Sequence, residues 1–242
     1  MVKKTVNIMI ALKGIYRYYE SKFQRNFVLK DINLEINEGE FVTIMGPSGA
    51  GKSTMLNIIG LLDEPNEGEY YLYDEPVHKL KEKKKVEYHR YLIGFIFQAF
   101  HLIDELNVYE NIETPLLYKG VKVKERKALV ADMLDRFNIV AKQDLFPNQL
   151  SGGQQQLVGI ARAIIGNPRI LLADEPTGNL HSTQGKMIMD LLLKLNQEEN
   201  MTIIQVTHNE NYAKYSNRII RLEDGLKLSD TLQKLESLKE NE

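Results

Sequence analysis

The chain of 242 residues is 43% hydrophobic, carries 31 Lys and Arg against 33 Asp and Glu for a formal net charge of -2, and contains no cysteine. The lack of thiols excludes disulfide scaffolds, zinc–thiolate sites, iron–sulfur clusters and cysteine nucleophiles, and a chain of this length can bury a core without such staples. Near-neutral charge gives no footprint for a nucleic-acid backbone, and no apolar run approaches the roughly 18 residues that span a bilayer, so work at a membrane is expected from its surface.

The opening MVKKTVNIMIAL has the basic end and short apolar run of a signal peptide, but no small-residue cleavage site follows before Tyr16, Tyr18 and Tyr19, and the stretch reads as an edge strand. Ile32, Leu34 and Ile36 alternate with polar residues up to a turn at Glu38-Gly39, and the continuous run Phe41 to Met45 then predicts a buried strand. After the glycine-rich stretch Gly46 to Gly51, apolar residues at Met55, Leu56, Ile58, Ile59 and Leu62 predict a helix over Lys52 to Leu62. Glu67-Gly68 turns into YYLY, and a charged stretch from Lys79 to Arg90 precedes the apolar run Ile93 to Phe97. Within that stretch, Lys83, Lys84 and Lys85 read as a solvated helix face.

Residues 105–165 are predicted mostly helical, over Val108 to Leu117, Lys124 to Phe137, and from Ser151 to Ile165. The runs Ile170 to Ala173 and Thr202 to Thr207 bracket a helix from about Ser182 to Asn196, the pattern of parallel strands joined by a crossover helix, so the core is α/β. Ile219 to Leu222, the turn Asp224-Gly225 and Leu226 to Leu228 predict a hairpin, and Leu228, Leu232, Leu235 and Leu238 predict an amphipathic terminal helix. No repeat or low-complexity linker divides the chain, so a single domain over 1–242 is expected, with a helical subdomain at roughly 99–165 inserted in the α/β core.

The string Gly46-Pro-Ser-Gly-Ala-Gly51-Lys52-Ser53 matches G-x-x-x-x-G-K-[ST] and stands between a strand and a helix, as a P-loop must. Such a loop aims backbone N–H groups inward, the following helix adds its positive end, and Lys52 adds a full charge: a cradle for a triphosphate. Gly46, Ser48, Gly49, Gly51, Lys52, Ser53 and Thr54 are its candidate nucleotide contacts, and the Ser53 hydroxyl is placed for a magnesium ion shared with the phosphates. Downstream, the apolar run ILLA ends in Asp174-Glu175. The first acid is the candidate for the Mg2+ shell, and the second, projecting past the strand end, is the candidate general base that orients and polarises water. Gln98 and His208 also follow apolar strands, at the edge where ligands of open α/β sheets gather. His208 is a candidate contact to the γ-phosphate or the water, while His78, His89 and His101 read as ordinary surface or core residues.

Leu150-Ser151-Gly152-Gly153-Gln154 resembles the signature motif of ATP-binding cassette (ABC) ATPases, and with the P-loop, Gln98, the ILLADEP strand and His208 it completes that family's set in order. The resemblance implies a P-loop NTPase (RecA-like) core, an antiparallel β subdomain and a helical insert carrying the signature. It implies a head-to-tail pair of copies in which ATP lies between the P-loop of one and Ser151, Gly152, Gly153 and Gln154 of the other. Helix physics agrees, because Ser151 followed by two glycines opens a helix and so presents an anion site with no phosphate of its own. By the same resemblance Gln98 ligates magnesium and senses the transporter, and Lys52, Gln98, Glu175 and His208 form the catalytic set. Tyr19 stacks on adenine, with Tyr16 and Tyr18 as neighbours able to take that role, and Leu106 to Asn111 touches the coupling helix of a membrane partner.

The strings MGPSGAGKSTMLNIIGLLDEPNEGE and ADEPTGNL look most like the lipoprotein-release, macrolide-export and cell-division group of that family. The expected function is therefore the ATP-binding and ATP-hydrolysing subunit of an ABC transporter or related membrane machine. It requires ATP and Mg2+, pairs with a second copy and an integral membrane permease, engages no nucleic acid, and sits on the cytoplasmic face of the membrane. The alternatives are a soluble ABC ATPase of DNA repair or translation, which resembles tandem cassettes or carries coiled-coil insertions, and a weakly hydrolysing regulatory subunit. Two positions depart from the family pattern: His181 stands where aspartate is usual and Leu157 where arginine is usual.

Overall fold

The computed structural model describes residues 7–21 and 24–233. In chain order the elements are β1 (Ile8–Glu20), β2 (Arg25–Asn37), β3 (Phe41–Met45), α1 (Lys52–Ile59), β4 (Glu67–Leu72), β5 (Glu75–Pro76), α2 (Glu82–Tyr91) and β6 (Ile93–Ile96). There follow α3 (Val108–Tyr118), α4 (Val123–Arg136), α5 (Gly152–Ile164), β7 (Ile170–Asp174), α6 (Ser182–Glu199), β8 (Thr202–Val206), α7 (Glu210–Ala213), β9 (Arg218–Glu223) and β10 (Leu226–Leu232).

Two sheets organise these elements. The first is antiparallel, in the order β2-β1-β4-β5. The second runs β10-β9-β3-β8-β7-β6, parallel from β9 to β6 with β10 as an antiparallel edge. β3 and β8 are buried at every position, as expected of parallel strands covered on both faces. One apolar cluster fills the space between the antiparallel sheet, α1 and one face of the parallel sheet; a second joins the other face to α3, α5 and α6.

The register of the central strands sets the site. Val206 on β8 pairs with Ile44 on one side and Asp174 on the other, so the ends of β3, β8 and β7 finish at one level. The backbone continues this alignment past the ladder, with Thr207 N–H donating to Ile44 O (3.2 Å) and Glu175 N–H to Val206 O (3.0 Å).

Four sequence expectations are corrected. The first strand is interior, because β2 and β4 take up both of its hydrogen-bonding edges; residues 1–6 lie outside the described residues. α1 stops at Ile59, short of Leu62: Gly60 packs so closely that a Cβ there would lie 2.1 Å from Phe95 Cζ, and Leu61 turns left-handed at φ 58°. Lys85 is not part of a solvated face. It is buried, with its ammonium on the carboxylates of Glu64 and Glu82. Leu228 and Leu232 belong to strand β10 instead of a terminal helix, since β9 offers a ladder partner through Arg218; Leu235 and Leu238 lie outside the described residues.

Candidate active site

The loop from Gly46 to Gly51 is held against two neighbouring strands, and two glycines make that approach possible. Gly46 has φ 155° and a Cβ there would sit 2.1 Å from Leu222 O; Gly51 has φ 95° and a Cβ there would sit 2.6 Å from Val28 O. Gly51 is the N-cap of α1, which has no side-chain cap and no acidic residue in its first turn, so the N–H groups of that turn remain available to an anion. Ser48 and Gly49 form the exposed crest of the loop, Thr54 is half-buried in the helix, and the Lys52 ammonium donates to the carbonyls of Gly46 (3.0 Å) and Pro47 (2.8 Å).

Ser53 Oγ donates to Asp174 Oδ1 at 3.1 Å, bringing together two residues 121 positions apart. Burial pushes the Asp174 carboxyl above the usual aspartate range; the Ser53 hydrogen bond opposes this, the Glu175 charge adds to it, and the Lys52 charge opposes it again. A hydroxyl and a carboxylate are hard oxygen donors of the kind magnesium prefers. Among the described residues no group of three or more His, Asp or Glu forms a metal cage. Two protein oxygens beside a phosphate cradle fit Mg2+, which is usually shared with substrate phosphates and water.

Glu175 adopts a left-handed backbone at φ 46°, uncommon outside glycine, and turns its side chain out of the β7 direction. Its Oε1 meets His208 Nδ1 at 2.8 Å, with the glutamate side chain 15% exposed and the histidine 72%. Gln98 lies in the exposed segment after β6 and forms no hydrogen bond to Ser53 or Asp174. Its backbone carbonyl accepts from Asn179 Nδ2 (2.9 Å), and its Nε2 lies 3.5 Å from Asn179 Oδ1.

Ser151 is the N-cap of α5. Its Oγ accepts from Gln154 N–H at 3.4 Å, while Gln154 Oε1 accepts from Ser151 N–H at 3.0 Å, a reciprocal capping box. Gly152 and Gly153 occupy the first helical turn, and a Cβ on Gly153 would lie 2.7 Å from Gln184 Nε2. No hydrogen bond links this edge to the Gly46–Thr54 loop.

Of the three tyrosines on β1, Tyr19 presents the most open ring, 55% exposed, with the Arg17 guanidinium 4.9 Å from its centroid. Tyr16 and Tyr18 both pack on Phe27, at 6.2 and 5.1 Å. Tyr19 pairs with Asn26, two residues before Val28, whose carbonyl presses on Gly51, so this hairpin end lies beside the loop. Leu157 packs against the second core cluster, and His181 is the N-cap of α6 without a side-chain cap bond.

Sequence reasoning passed over three polar residues that hold these loops. Asn179 ties the segment after Glu175 to Gln98, Gln156 Nε2 donates to Pro176 O at 2.7 Å, and Arg162 donates to the carbonyls of Phe100 and His101. The available signal was Gln156 itself, a polar residue in the otherwise apolar or small row Gly153, Gln156, Ile160, Ile164 of α5.

Residues 29–178 match the family model described as ABC transporter. An uncharacterized ABC transporter ATP-binding protein, MJ0796, of Methanocaldococcus jannaschii is 48% identical over 221 residues, covering 90% of this chain and 94% of that protein. The macrolide export ATP-binding/permease protein MacB of Wolinella succinogenes is 44% identical over 217 residues; the match covers 90% of this chain and 34% of that protein. A solved dimeric structure of the MJ0796 cassette in a post-hydrolysis state, bound to ADP and Pi, superposes with a TM-score of 0.87 at 45% identity, covering 93% of this chain and 99% of that one.

Proposed function

The chain belongs to the ABC transporter family, and from that premise we propose that it binds and hydrolyses ATP as a head-to-tail pair of copies that drives an integral membrane permease. The observation that carries this reading is the division of one chain into two unconnected anion-binding edges. The Gly46–Thr54 cradle stands with the Ser53–Asp174 and Glu175–His208 pairs, while the Ser151-capped start of α5 has free helix N–H groups and no link to that cradle. A second copy turned to face the first brings each helix edge to the other's cradle, and the MJ0796 cassette, solved as a dimer bound to ADP and Pi, supports a paired arrangement.

Each residue then has a chemical task. The loop N–H groups and Lys52 bind the β- and γ-phosphates. Ser53 and Asp174, with Gln98, would hold Mg2+, which would supply charge neutralisation at the transferred phosphoryl group. Glu175 orients the attacking water and accepts its proton, and His208 holds the Glu175 carboxylate and faces the γ-phosphate. Tyr19 stacks on the adenine. Release of phosphate removes the group both edges grip, and the pair opens.

The membrane partner is supported by the MacB relatives, which join an ATP-binding part and a permease in one protein. Among the described residues no helix is long and apolar enough to cross a membrane. A groove of about 440 Å³ beside the Gln98 loop, walled by Phe97, His101, Ile103, Pro115, Lys119 and Arg162, is the proposed seat of the permease. The Leu106–Asn111 segment is tied to the lining residue Ile103 through Asn111, which is fully buried and holds the carbonyls of Ile103, Leu106 and Asn107. With a permease as its partner, the proposed position of the cassette is the cytoplasmic face of the membrane.

Phosphate release from Mg-ATP by the purified chain, measured over a dilution series, tests the reading. The expected result is a specific activity that rises with enzyme concentration; full activity at every dilution from a monomer overturns the paired arrangement. Cross-linking in membranes to an integral membrane protein tests the partner.

A further inference from the structure

We infer that helix α5 couples the two nucleotide sites of the pair, with Gln156 and Arg162 as positioning residues that hand movement of the Ser151 edge to the Glu175 and Gln98 loops of the same chain. The inference rests on the paired arrangement proposed above. What the structure adds is a set of contacts made by a single helix, in order along its length.

At its N-terminus α5 presents Ser151 and the N–H groups of Gly152 and Gly153, which the capping box does not take up. Gln156, 1% exposed, reaches across to Pro176 O at 2.7 Å. Proline has no N–H, so that carbonyl is the sole backbone hydrogen-bonding group at this position. Pro176 directly follows Glu175, whose left-handed φ of 46° persists only if its surroundings hold it. Three bonds do so: Glu175 N–H to Val206 O, Gly178 N–H to Glu175 O, and Gln156 to Pro176 O. Only the last comes from the helix that carries the partner-facing edge.

Further along, the Arg162 guanidinium donates Nη1 to His101 O (2.7 Å) and Nη2 to Phe100 O (3.0 Å). Phe100 and His101 are consecutive left-handed residues, φ 62° and 47°, a conformation that bulky side chains disfavour. They lie two and three residues beyond Gln98. Arg162 makes no salt bridge among the described residues, and desolvation of the half-buried guanidinium lowers its pKa, so the carbonyls of Phe100 and His101 are its described hydrogen-bond partners. A Cβ on Gly159 would lie 3.5 Å from Phe100 O, which shows how closely the loop follows the helix.

Gln156 Oε1 is buried with no hydrogen-bond partner. The Gln156 side chain is therefore tied to Pro176 through Nε2 alone among the described residues. A helix moves as a rigid element, and one gripped at its N-terminus by ATP in the other copy's cradle shifts Gln156 and Arg162 with it. Occupancy of one site therefore sets the backbone around Glu175 and Gln98 in the other, and by linkage the effect on binding is reciprocal.

The test compares Gln156→Leu and Arg162→Lys with the unaltered chain, reading ATP turnover against ATP concentration. In parallel, each change is placed in a Glu175→Gln background and ATP-dependent dimerisation is followed by gel filtration. The unaltered chain is expected to show a Hill coefficient between 1 and about 2, the number of coupled sites. The variants are expected to lose about ten- to a hundredfold in kcat, the scale of a misplaced catalytic group. Their Hill coefficient should fall to about 1, with half-saturating ATP and dimerisation retained. Variants that keep both kcat and cooperativity overturn the inference, and so do variants that lose dimerisation and turnover together, which marks a merely structural role. Arg162→Lys keeps charge and stem and decides the matter if Gln156→Leu does not fold. An unaltered chain that never dimerises and turns over without cooperativity overturns the paired arrangement, and the inference with it.

Discussion

Glu175 and His208 stand 2.8 Å apart, Oε1 to Nδ1, although 33 residues separate them. The pair exists because β7 and β8 are adjacent parallel strands in register, so the residues just past their ends emerge side by side. The carboxylate is held through Oε1 by the imidazole, on a residue whose backbone is left-handed.

Glu175→Gln keeps the shape and the hydrogen-bonding reach of the side chain but removes the proton acceptor. ATP binding is expected to persist while hydrolysis falls at least about a hundredfold, the lower end of the usual general-base range. Gel filtration with Mg-ATP is expected to show a stable dimer. A variant that binds nucleotide and elutes only as a monomer contradicts the sandwich.

Lys52→Ala removes an ammonium that reaches across the loop to the carbonyls of Gly46 and Pro47. A charged hydrogen bond from this ammonium to a phosphate oxygen would contribute about 1.5–3 kcal/mol, so ATP affinity is expected to fall by roughly ten- to a hundredfold. Isothermal titration with ATP measures this directly, and unchanged affinity counts against the cradle.

Asp174 predicts a pH dependence whose sign follows from burial. Its folded-state pKa is raised, so the folded protein binds more protons than the unfolded chain between the ordinary aspartate value and the raised one. The stability present at low pH is therefore lost as pH rises through that window, and the ionised, desolvated carboxylate destabilises the ligand-free fold at neutral pH. Asp174→Asn is expected to raise the Tm of the nucleotide-free chain at neutral pH, with the gain vanishing below about pH 3.5 where the carboxyl is protonated in both states. A Tm difference that is constant with pH refutes this account.

His181 opens α6 without capping it, whereas aspartate is among the best N-cap residues. His181→Asp is expected to add about 1 kcal/mol of stability. That corresponds to a Tm increase of about 2–4 °C in calorimetry for a chain of this size. The same substitution tests whether the histidine makes turnover respond to pH near neutrality. If the pH–rate profile is identical with aspartate in place, His181 has no such part.

Much of the fold was legible because its signals are local. Alternation in Ile32, Leu34 and Ile36, the buried run Phe41 to Met45, and the helical periods of α3, α4, α5 and α6 each lie within a few residues of themselves. Errors came where a distant partner overrode the local pattern. Lys85 looked like one lysine among three until Glu64, 21 residues earlier, folded over it. Leu228 and Leu232 fit a helical period, but β9 supplied a strand ladder that their own spacing does not record.

The sequence by itself determined the candidate residues for the chemistry: a phosphate loop, two acids ending an apolar strand, a histidine ending another, and a serine with two glycines opening a helix. Those motifs are contiguous, so backbone geometry and residue type define them without reference to the rest of the chain. Tertiary structure alone decided who meets whom. Ser53 reaches Asp174, Glu175 reaches His208, and Gln156 and Arg162 tie one helix to two strained loops because of strand order, register and helix packing, and such contacts between remote segments leave no local trace.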